Sequence, residues 1–418
     1  MIEMNLFFIA YLFVIVSEYV GLGYEFRIIQ KLHLPLLTVL LLFMYLMVKN
    51  GTEVFSSKLA KMLMVFVALT FFAMAHSYVA TYSLNAFKAH FGYFMLFVIG
   101  YYLLDSPKRL EQLAKVYVLI FIYLIFINIE KLGGARVGHF RAGYFLGDGN
   151  DFGWGILVAL PYAIYLFRSS SSIVKKVLAA TAAIVLLFGI VGTQSRGASL
   201  ALAASMVYLF VFSGKSKVAG IVTLLVMGLV AIPFLPDKYL GRMETVKSYE
   251  EDNSAMARIR AWTSATQMAL DHPILGVGAG NFPTAFGRFY LPKDAPTGKW
   301  YNAHSIYFLT LGEYGFPGII ILISIIVANF KTNRATLLLI QQTKDGTVPE
   351  MWPNLINMGL IAYSVGGMFL GGLNYPHIYV ISGVTLALHR MAKKELETSK
   401  GEISEESEKQ VPIRRRYY

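Results

Sequence analysis

Apolar residues form long continuous runs along this chain, and short polar segments separate them. Several runs approach or exceed the roughly 20 residues that a helix needs to cross a bilayer. The runs at 179–192 and 218–234 do not alternate, which excludes the roughly ten-residue alternating strands of a membrane β-barrel. The pattern predicts an all-α polytopic membrane protein with about twelve transmembrane helices, at 4–20, 34–48, 59–76, 86–104, 115–131, 153–168, 174–193, 196–212, 218–236, 304–330, 354–373 and 375–391.

The basic residues of the connections support this count. Every connection after an even-numbered span carries Lys or Arg, for example Lys58, Lys108 and Lys175. Cytoplasmic loops collect such residues, so both termini and the even connections are predicted to face the cytoplasm. The odd connections then face outward. Composition agrees, because 15% of the residues are charged, against about 25% in ordinary globular domains.

The longest connection, 237–303, is predicted to be an outer loop subdomain between helices 1–9 (1–236) and helices 10–12 (304–392). Its eight basic and seven acidic side chains nearly cancel, and long loops cross the membrane regardless of charge. Within it, 254–271 reads as a helix with Ser254 as N-cap, followed by a glycine-rich return at 276–280. The charged tail at 393–418 is predicted to be cytoplasmic and disordered.

Charge and cysteine content narrow the functional classes. The formal net charge of +12 follows from the basic cytoplasmic connections, so we expect membrane lipids and no nucleic acid among the partners. The chain has no cysteine, hence no disulfide and no thiolate metal site. The N-terminus lacks a basic start and a small-residue cleavage site, so it is interpreted as a first span rather than a signal peptide.

Candidate chemistry concentrates at the outer ends of the predicted spans. Arg196 opens the eighth span in "TQSRGASLAL", where a guanidinium is costly unless it is paired or faces water. Gly197 and Ala198 beside it suggest room for a bulky ligand. The alternative is an interfacial anchor that snorkels to lipid headgroups. Arg258 and Arg260 lie on the loop helix about 200° apart, so they do not face the same site, and the alternative is two solvated charges.

His304 opens the tenth span, and histidine is the side chain best matched to proton transfer near neutral pH. The alternative is a histidine hydrogen-bonded to a carbonyl. Ser305 follows it, and Gly315 with Pro317 is expected to kink the helix within the membrane. Glu313 lies in the same span and is either functional or a partner for a nearby polar group.

Other chemistries lack their motifs. Asp148 and Asp151 in "GYFLGDGNDFG" permit a divalent-metal interpretation, although a turn and helix cap is the better one. There is no P-loop, no HExxH or zinc cluster and no GxSxG elbow, so we predict no metal and no cofactor. Any enzymatic donor is therefore expected to be lipid-linked and presented at the outer face, since no cytoplasmic loop is long enough for a nucleotide-sugar domain.

The string His304-Ser305-x9-Gly315-x2-Gly318 resembles the H-[N/S/Q]-x9-G-x2-G pattern of bacterial O-antigen ligases. "SRGASLAL" at 195–202 is similar to the arginine-headed span of the ligase and O-antigen polymerase superfamily. "SAMARIRAWTSATQMALDHPILGVGAGNF" at 254–282 is similar to its outer loop, with an arginine four residues before Trp262 and a downstream P-x-x-G-x-G. The three elements lie in the right order and on the same predicted side.

The resemblance implies a metal-independent glycosyltransferase of the bacterial inner membrane, with a periplasmic active site, acting in lipopolysaccharide biosynthesis. It would move a glycan from undecaprenyl pyrophosphate to a hydroxyl of a lipid A-core sugar or another glycan acceptor. Arg196 and Arg258 are implied to hold the diphosphate, and His304 is implied to be the base or to orient substrate. Arg260, Ser305 and Glu313 are further candidates for substrate binding. Arg260 departs from the family pattern as a second arginine beside the motif one.

Two other interpretations remain open at this stage. An O-antigen or exopolysaccharide polymerase, or a protein O-oligosaccharyltransferase of the same superfamily, would share the chemistry and differ only in the acceptor. A membrane transporter is the alternative from a different class. A transporter would show polar residues or broken helices in paired positions near mid-membrane, whereas this chain places its charges at one interface.

Overall fold

The computed structural model describes residues 2–133, 139–212, 253–293, 295, 301–343 and 346–409. All regular structure in these residues is helical, which confirms the all-α class. The α-helices of the described residues are α1 Ile2–Val20, α2 Leu22–Glu25, α3 Arg27–Lys31, α4 Leu34–Asn50, α5 Lys58–Ala73, α6 Ala80–Leu103, α7 Pro107–Ile127, α8 Gly149–Ser169, α9 Ile173–Gly192, α10 Arg196–Phe212, α11 Asn253–Asp271, α12 Phe282–Arg288, α13 Ile306–Gln342, α14 Met351–Gly366 and α15 His377–Lys409.

Length and apolarity qualify five described segments as membrane spans, at Lys58–His76, Pro107–Ile127, Gly149–Ser169, Ile173–Gly192 and Ile306–Gln342. Three shorter apolar helices, at Leu6–Val20, Leu34–Asn50 and Arg196–Val211, also fall on predicted spans. The protein is therefore a multi-pass membrane protein. The ninth predicted span, 218–236, lies outside the described residues, as does most of the loop before 253.

Several helix boundaries differ from the sequence prediction, and three of the differences concern the outer loop, the eleventh span and the tail. Helix α11 begins at Asn253, so Ser254 lies inside it rather than at its N-cap. The eleventh predicted span, 354–373, ends at Gly366, because residues 367–376 form a tight non-helical turn. Helix α15 continues to Lys409, into the tail for which composition predicted disorder. An established membrane helix is readily extended by good helix formers and by i,i+4 pairs such as Lys393 with Glu397.

Hydrogen bonds tie the odd-numbered connections to one another at one end of the bundle. The backbone N–H of Gly143 donates to the Tyr19 carbonyl, and that of Gly133 donates to Gly192, both at 2.8 Å. Val79 N–H donates to Asn281 Oδ1, also at 2.8 Å. We call this the loop-subdomain end. It gathers the loop helices together with the starts of α8, α10, α13 and α15.

Residues at the second, fourth and tenth connections make contacts at the opposite end, with one another or with α15. Tyr101 donates its hydroxyl to Glu53 Oε1 at 3.1 Å, and Arg390 donates to the Tyr102 carbonyl at 3.3 Å. The backbone N–H of Thr347 donates to Glu395 Oε2 at 3.1 Å. For these described connections, even and odd connections lie at two different ends. Which end faces the cytoplasm stays a prediction.

Helix α13 lies at the centre of this arrangement, packed against α5, α11, α14 and α15. Buried amides join the central helices, since Asn333 donates to Asn357 Oδ1 at 2.8 Å and Asn329 donates to Ser382 Oγ at 3.0 Å. Interhelical hydrogen bonds of this kind hold membrane helices together where lipid supplies no hydrophobic driving force between them. The helix that carries His304 at its entrance is therefore firmly fixed.

Candidate functional site

Helix α13 is broken at Gly315, which has φ 65° and ψ −162°. The glycine-rich return of the outer loop fills the break. The backbone N–H of Phe316 donates to the Pro273 carbonyl and that of Val277 donates to Gly312, both at 2.9 Å. A Cβ at position 315 would lie 2.3 Å from the Pro273 carbonyl oxygen. Only glycine therefore fits, and the expected kink is present because the loop pairs with the opened backbone.

Glu313 is buried beside this break. Its Oε1 accepts a hydrogen bond of 3.1 Å from the backbone N–H of Phe282, and the N–H of Gly280 also bonds to the carboxylate. Seven helical residues place it about 10 Å along the axis from Ile306, the first residue of α13. Through these contacts Glu313 holds the outer loop against α13. Its predicted role in substrate binding stays a prediction.

Helix α11 docks onto the entrance of α13 through Trp262. The indole N–H donates to the Ala303 carbonyl at 2.9 Å, and the ring stacks on Phe308 with centroids 4.9 Å apart and planes 7° apart. Farther along α11, Ser264 Oγ donates to the Tyr290 carbonyl at 2.7 Å. Arg258 lies one helical turn before Trp262, so this docking fixes its position relative to the residues that follow Ala303.

His304 occupies a strained turn between Ala303 and the first residue of α13. Its φ is 46°, in the left-handed region that non-glycine residues seldom adopt. A hydrogen bond to another segment fixes the end of this turn, since the N–H of Ile306 donates to the Gly367 carbonyl at 2.8 Å. Strained backbone of this kind persists only where the surroundings fix it, and it concentrates at functional sites.

The environment of His304 favours the neutral imidazole. Its side chain is exposed, yet neighbouring atoms remove part of its water and lower its pKa below 6.5. The positive charge of Arg258 lowers that pKa further, and the negative charge of Asp148 opposes the shift. At neutral pH the ring is therefore able to accept a proton. The structure brings Arg258 and His304, which are 46 positions apart in the sequence, into electrostatic contact.

Ser305 is buried at the N-cap position of α13. Its side chain makes no capping hydrogen bond, while its carbonyl accepts from the N–H of Leu309 at 2.8 Å. The side chain therefore lies in the protein interior. A role for Ser305 in substrate binding stays a prediction.

Arg196 begins α10 two residues after Gln194, another left-handed residue with φ 53°. It is half-buried. Gly197 and Ala198 do not leave open space beside it, contrary to the expectation from sequence. Ala198 is fully buried, and a Cβ on Gly197 would lie 3.1 Å from that of Phe369. Small residues here serve close helix packing.

The turn 367–376, which the sequence interpretation divided between two spans, connects these elements. Phe369 packs on the start of α10 beside Arg196, Gly367 holds the start of α13 beside His304, and Gly371 approaches the side chain of Asn302. The run "GGMFLGGLNYP" was the available signal, because four glycines followed by a proline indicate a turn rather than a helix.

Asp148 and Asp151 border the same region at the start of α8. Asp148 is the N-cap and accepts from the N–H of Asn150 at 2.7 Å, which confirms the turn and cap interpretation. Asp151 accepts a hydrogen bond from Tyr375. Burial and the Asp151 charge raise the pKa of Tyr375 well above its ordinary value, so Tyr375 keeps its proton and donates it. Within the described part of the chain, no three His, Asp or Glu side chains converge as metal ligands.

Arg260 is two residues beyond Arg258 on α11 and partly exposed. The rotation of about 200° between them turns it toward a different side of the helix. The charge of Arg258 acts on His304. That Arg258 and not Arg260 faces the substrate stays a prediction.

Residues 181–323 match a family model described as O-antigen ligase. The match covers about a third of the chain and supports its assignment to the O-antigen ligase family. The matched segment contains all six predicted site residues, from Arg196 through Arg258, Arg260, His304 and Ser305 to Glu313. The matched family implies a membrane glycosyltransferase that acts on glycans. No curated protein sequence matches the chain.

Proposed function

We propose that this ligase-family protein transfers a glycan from undecaprenyl pyrophosphate to a hydroxyl of a lipid A-core sugar at the periplasmic face of the inner membrane. The observation that carries the proposal is the pairing of a strained, neutral His304 with Arg258 on the docked loop helix. A base beside a guanidinium suits a reaction that removes a proton from an acceptor and releases a diphosphate.

The proposed transfer reaction balances in bonds and protons without a metal ion. The acceptor hydroxyl oxygen attacks the anomeric carbon, and the bond from that carbon to the diphosphate oxygen breaks. His304 takes the hydroxyl proton, while the negative charge that develops on the diphosphate is stabilised by Arg196 and Arg258. Attack from the side opposite the diphosphate inverts the anomeric centre. An apolar groove between the helices would hold the polyprenyl tail.

Fixed arginines suit this leaving group better than a diffuse positive surface. Each guanidinium presents planar donors that match phosphate oxygens in a bidentate manner. Arg196 lies in the bundle at the start of α10, next to Gly197, which packs against the 367–376 turn. Arg258 lies on the outer-loop helix, one turn before Trp262, which docks at Ala303. A diphosphate held from two sides keeps its orientation while the sugar is transferred.

The identity of the acceptor distinguishes the proposed ligase from a polymerase or a protein glycosyltransferase. Purified protein in lipid nanodiscs would be given a defined undecaprenyl-pyrophosphate glycan with lipid A-core, a free glycan or a protein acceptor in turn. We expect transfer to lipid A-core, and unchanged transfer in excess EDTA. Transfer only to glycan or to protein would indicate a polymerase or a protein glycosyltransferase. Activity lost in EDTA and restored by Mg²⁺ would place Asp148 and Asp151 at a metal site.

His304 is tested in the same system with a matched control. His304→Ala should lower single-turnover transfer by about 10²–10⁴-fold, as expected for loss of a general base, while donor binding persists through the arginines. His33→Ala is the control, because His33 is also exposed, left-handed with φ 47° and placed before a helix. It should leave transfer unchanged. If His304→Ala transfers normally, or fails only because donor no longer binds, His304 is not the base.

The orientation is tested by labelling. Since the chain has no cysteine, Lys293→Cys and Lys175→Cys each introduce one thiol at an exposed position. We expect an impermeant maleimide to label position 293 in whole cells and to label position 175 only after lysis. The reverse pattern would place the candidate site in the cytoplasm and exclude the proposed reaction.

A further inference from the structure

A cavity of about 480 Å³ opens at the end of the bundle opposite the candidate site. It lies between α1, α4, the end of α6, the start of α7 and the middle of α15, and none of the proposed chemistry uses it. Five basic side chains line it, namely Lys49, Arg109, Arg390, Lys393 and Lys394. Its volume is in the range of pockets that hold small molecules or headgroups. We call it the inner basic cavity.

The acidic side chains in the lining leave the cavity positive. Glu53, Asp105 and Glu397 are the three that line it, so the lining carries five positive and three negative charges, a net charge of +2. Asp105 pairs with Arg109 at 2.8 Å, and Glu397 lies 3.8 Å from Lys393. A positive, solvent-filled cavity of this kind attracts an anionic ligand.

Two guanidinium groups form a fixed floor. The Arg390 guanidinium lies 4.6 Å from the ring centroid of Tyr101 and donates to the Tyr102 carbonyl. The Arg109 side chain is only 11% exposed and donates to the Leu103 carbonyl at 2.9 Å. Stacking and backbone contacts hold both groups in place before any ligand arrives, which reduces the ordering cost of binding an anion.

The rim combines lysines with an apolar face directed toward lipid. Lys49 and Lys394 are exposed, and Lys49 donates to the Tyr45 hydroxyl at 3.2 Å. On the same helix, Met44 is 52% and Val48 is 89% exposed, as expected for side chains that contact acyl chains. A ligand in this cavity therefore meets basic groups at one end and a hydrocarbon surface at the other.

We propose that the inner basic cavity binds the headgroup of an anionic glycerophospholipid, with the acyl chains along the exposed face of α4. A phosphodiester fits the charge of the floor and rim, and diacyl tails fit the neighbouring apolar surface. Basic pockets between transmembrane helices at the cytoplasmic face recognise anionic headgroups in this way. The site is independent of the glycosyl transfer proposed above.

The test measures lipid retained by the full-length protein, using native mass spectrometry during titration with phosphatidylglycerol or phosphatidylcholine. We expect phosphatidylglycerol to bind and phosphatidylcholine to be lost. Lys49→Gln with Lys394→Gln should weaken phosphatidylglycerol binding by about 25-fold, taking roughly fivefold for each basic side chain near the membrane surface. Lys175→Gln with Lys331→Gln, both exposed lysines outside the cavity, is the control and should bind as the wild type does.

Three outcomes would overturn the proposal. They are equal retention of the two lipids, unchanged binding by the Lys49/Lys394 variant, and displacement of the lipid by equimolar glycerol phosphate, which would indicate a site for small soluble anions. The two lysines are exposed, so the double variant is expected to fold. Arg390→Gln provides a second measurement at the floor of the cavity and should also weaken phosphatidylglycerol binding.

Discussion

Trp262 stacks on Phe308 with the ring planes only 7° apart, and its indole N–H is bonded to the carbonyl of Ala303. One residue thus joins the outer-loop helix to the membrane helix on both sides of His304. The relationship explains how Arg258, on a long loop, is held near enough to His304 for its charge to act on the imidazole. Positioning by packed aromatic groups suits a site that needs fixed donors.

Removing this contact should release the loop helix. We predict that Trp262→Ala speeds hydrogen exchange of the α11 amides and strongly lowers the transfer rate, because stacking alone contributes about 0.5–1.5 kcal/mol beyond buried area. Trp262→Phe retains an aromatic ring and loses only the N–H bond, so its effect should be smaller. If Trp262→Ala transfers at the wild-type rate, the docking of α11 does not position the site.

The two neighbouring arginines should differ in their tolerance to lysine. Lysine keeps the charge and loses the planar fork, so Arg258→Lys and Arg196→Lys should each lose most of the activity in folded protein. Arg260→Lys should be mild, because it faces a different side of α11. Transfer rates and expression of the three purified variants decide this. A damaging Arg260→Lys with a harmless Arg258→Lys would reverse the assignment of the helix face.

The pH dependence of transfer should report the charge balance at His304. The neutral ring is the active base, so kcat/KM should fall as the pH decreases through a pKa that lies below 6.5. Asp148 raises this pKa. Asp148→Asn retains an N-cap residue and removes the charge, so it should move the acid limb to lower pH.

A charge change far from the site serves as the control for that shift. Glu111→Gln removes an exposed carboxylate, paired with Lys115, at the other end of the bundle. It should leave the acid limb unchanged. A profile that Asp148→Asn does not move, or that Glu111→Gln moves equally, would show that the limb does not arise from His304.

Two variants of Glu313 distinguish a structural role of its side chain from a role in substrate binding. Glu313→Ala leaves the buried N–H of Phe282 without its acceptor and should destabilise the protein by about 1–3 kcal/mol. Glu313→Gln keeps a carbonyl oxygen in the same position and should retain most of the activity and the melting temperature. An inactive Glu313→Gln with unchanged melting temperature would instead show that the negative charge acts on substrate.

Gly315 should tolerate no side chain. Gly315→Ala puts a Cβ against the Pro273 carbonyl and a non-glycine residue in the left-handed region, which alone costs about 1–2 kcal/mol. Gly92→Ala is the matched control, since Gly92 lies within α6 and no atom comes within 4 Å of the position that an added methyl group would take. It should be neutral or stabilising by about 0.5–1 kcal/mol. Thermal unfolding in detergent compares the two variants.

The sequence alone determined the membrane class and the segments in which the candidate site lies. A long apolar run satisfies its backbone hydrogen bonds in lipid only as a helix. The alternation of basic connections can be recognised in the sequence without knowing any tertiary contact. The kink at Gly315 and the return at 276–280 were also predictable, because glycine and proline act on their own backbone. The His304 string, the span that Arg196 opens and the outer-loop string at 254–282 together suggested the family.

Only the tertiary structure decided what these elements do to one another. In the tertiary structure the Pro273 carbonyl accepts from the backbone N–H that follows Gly315, and the Glu313 carboxylate accepts from the N–H of Phe282. The charges of Arg258 and Asp148 act on His304. The tertiary structure also moved the end of α14 to Gly366 and made the following turn a support for the site. Such contacts join residues far apart in the chain, and their energies depend on distance and burial, which no local pattern of residues encodes.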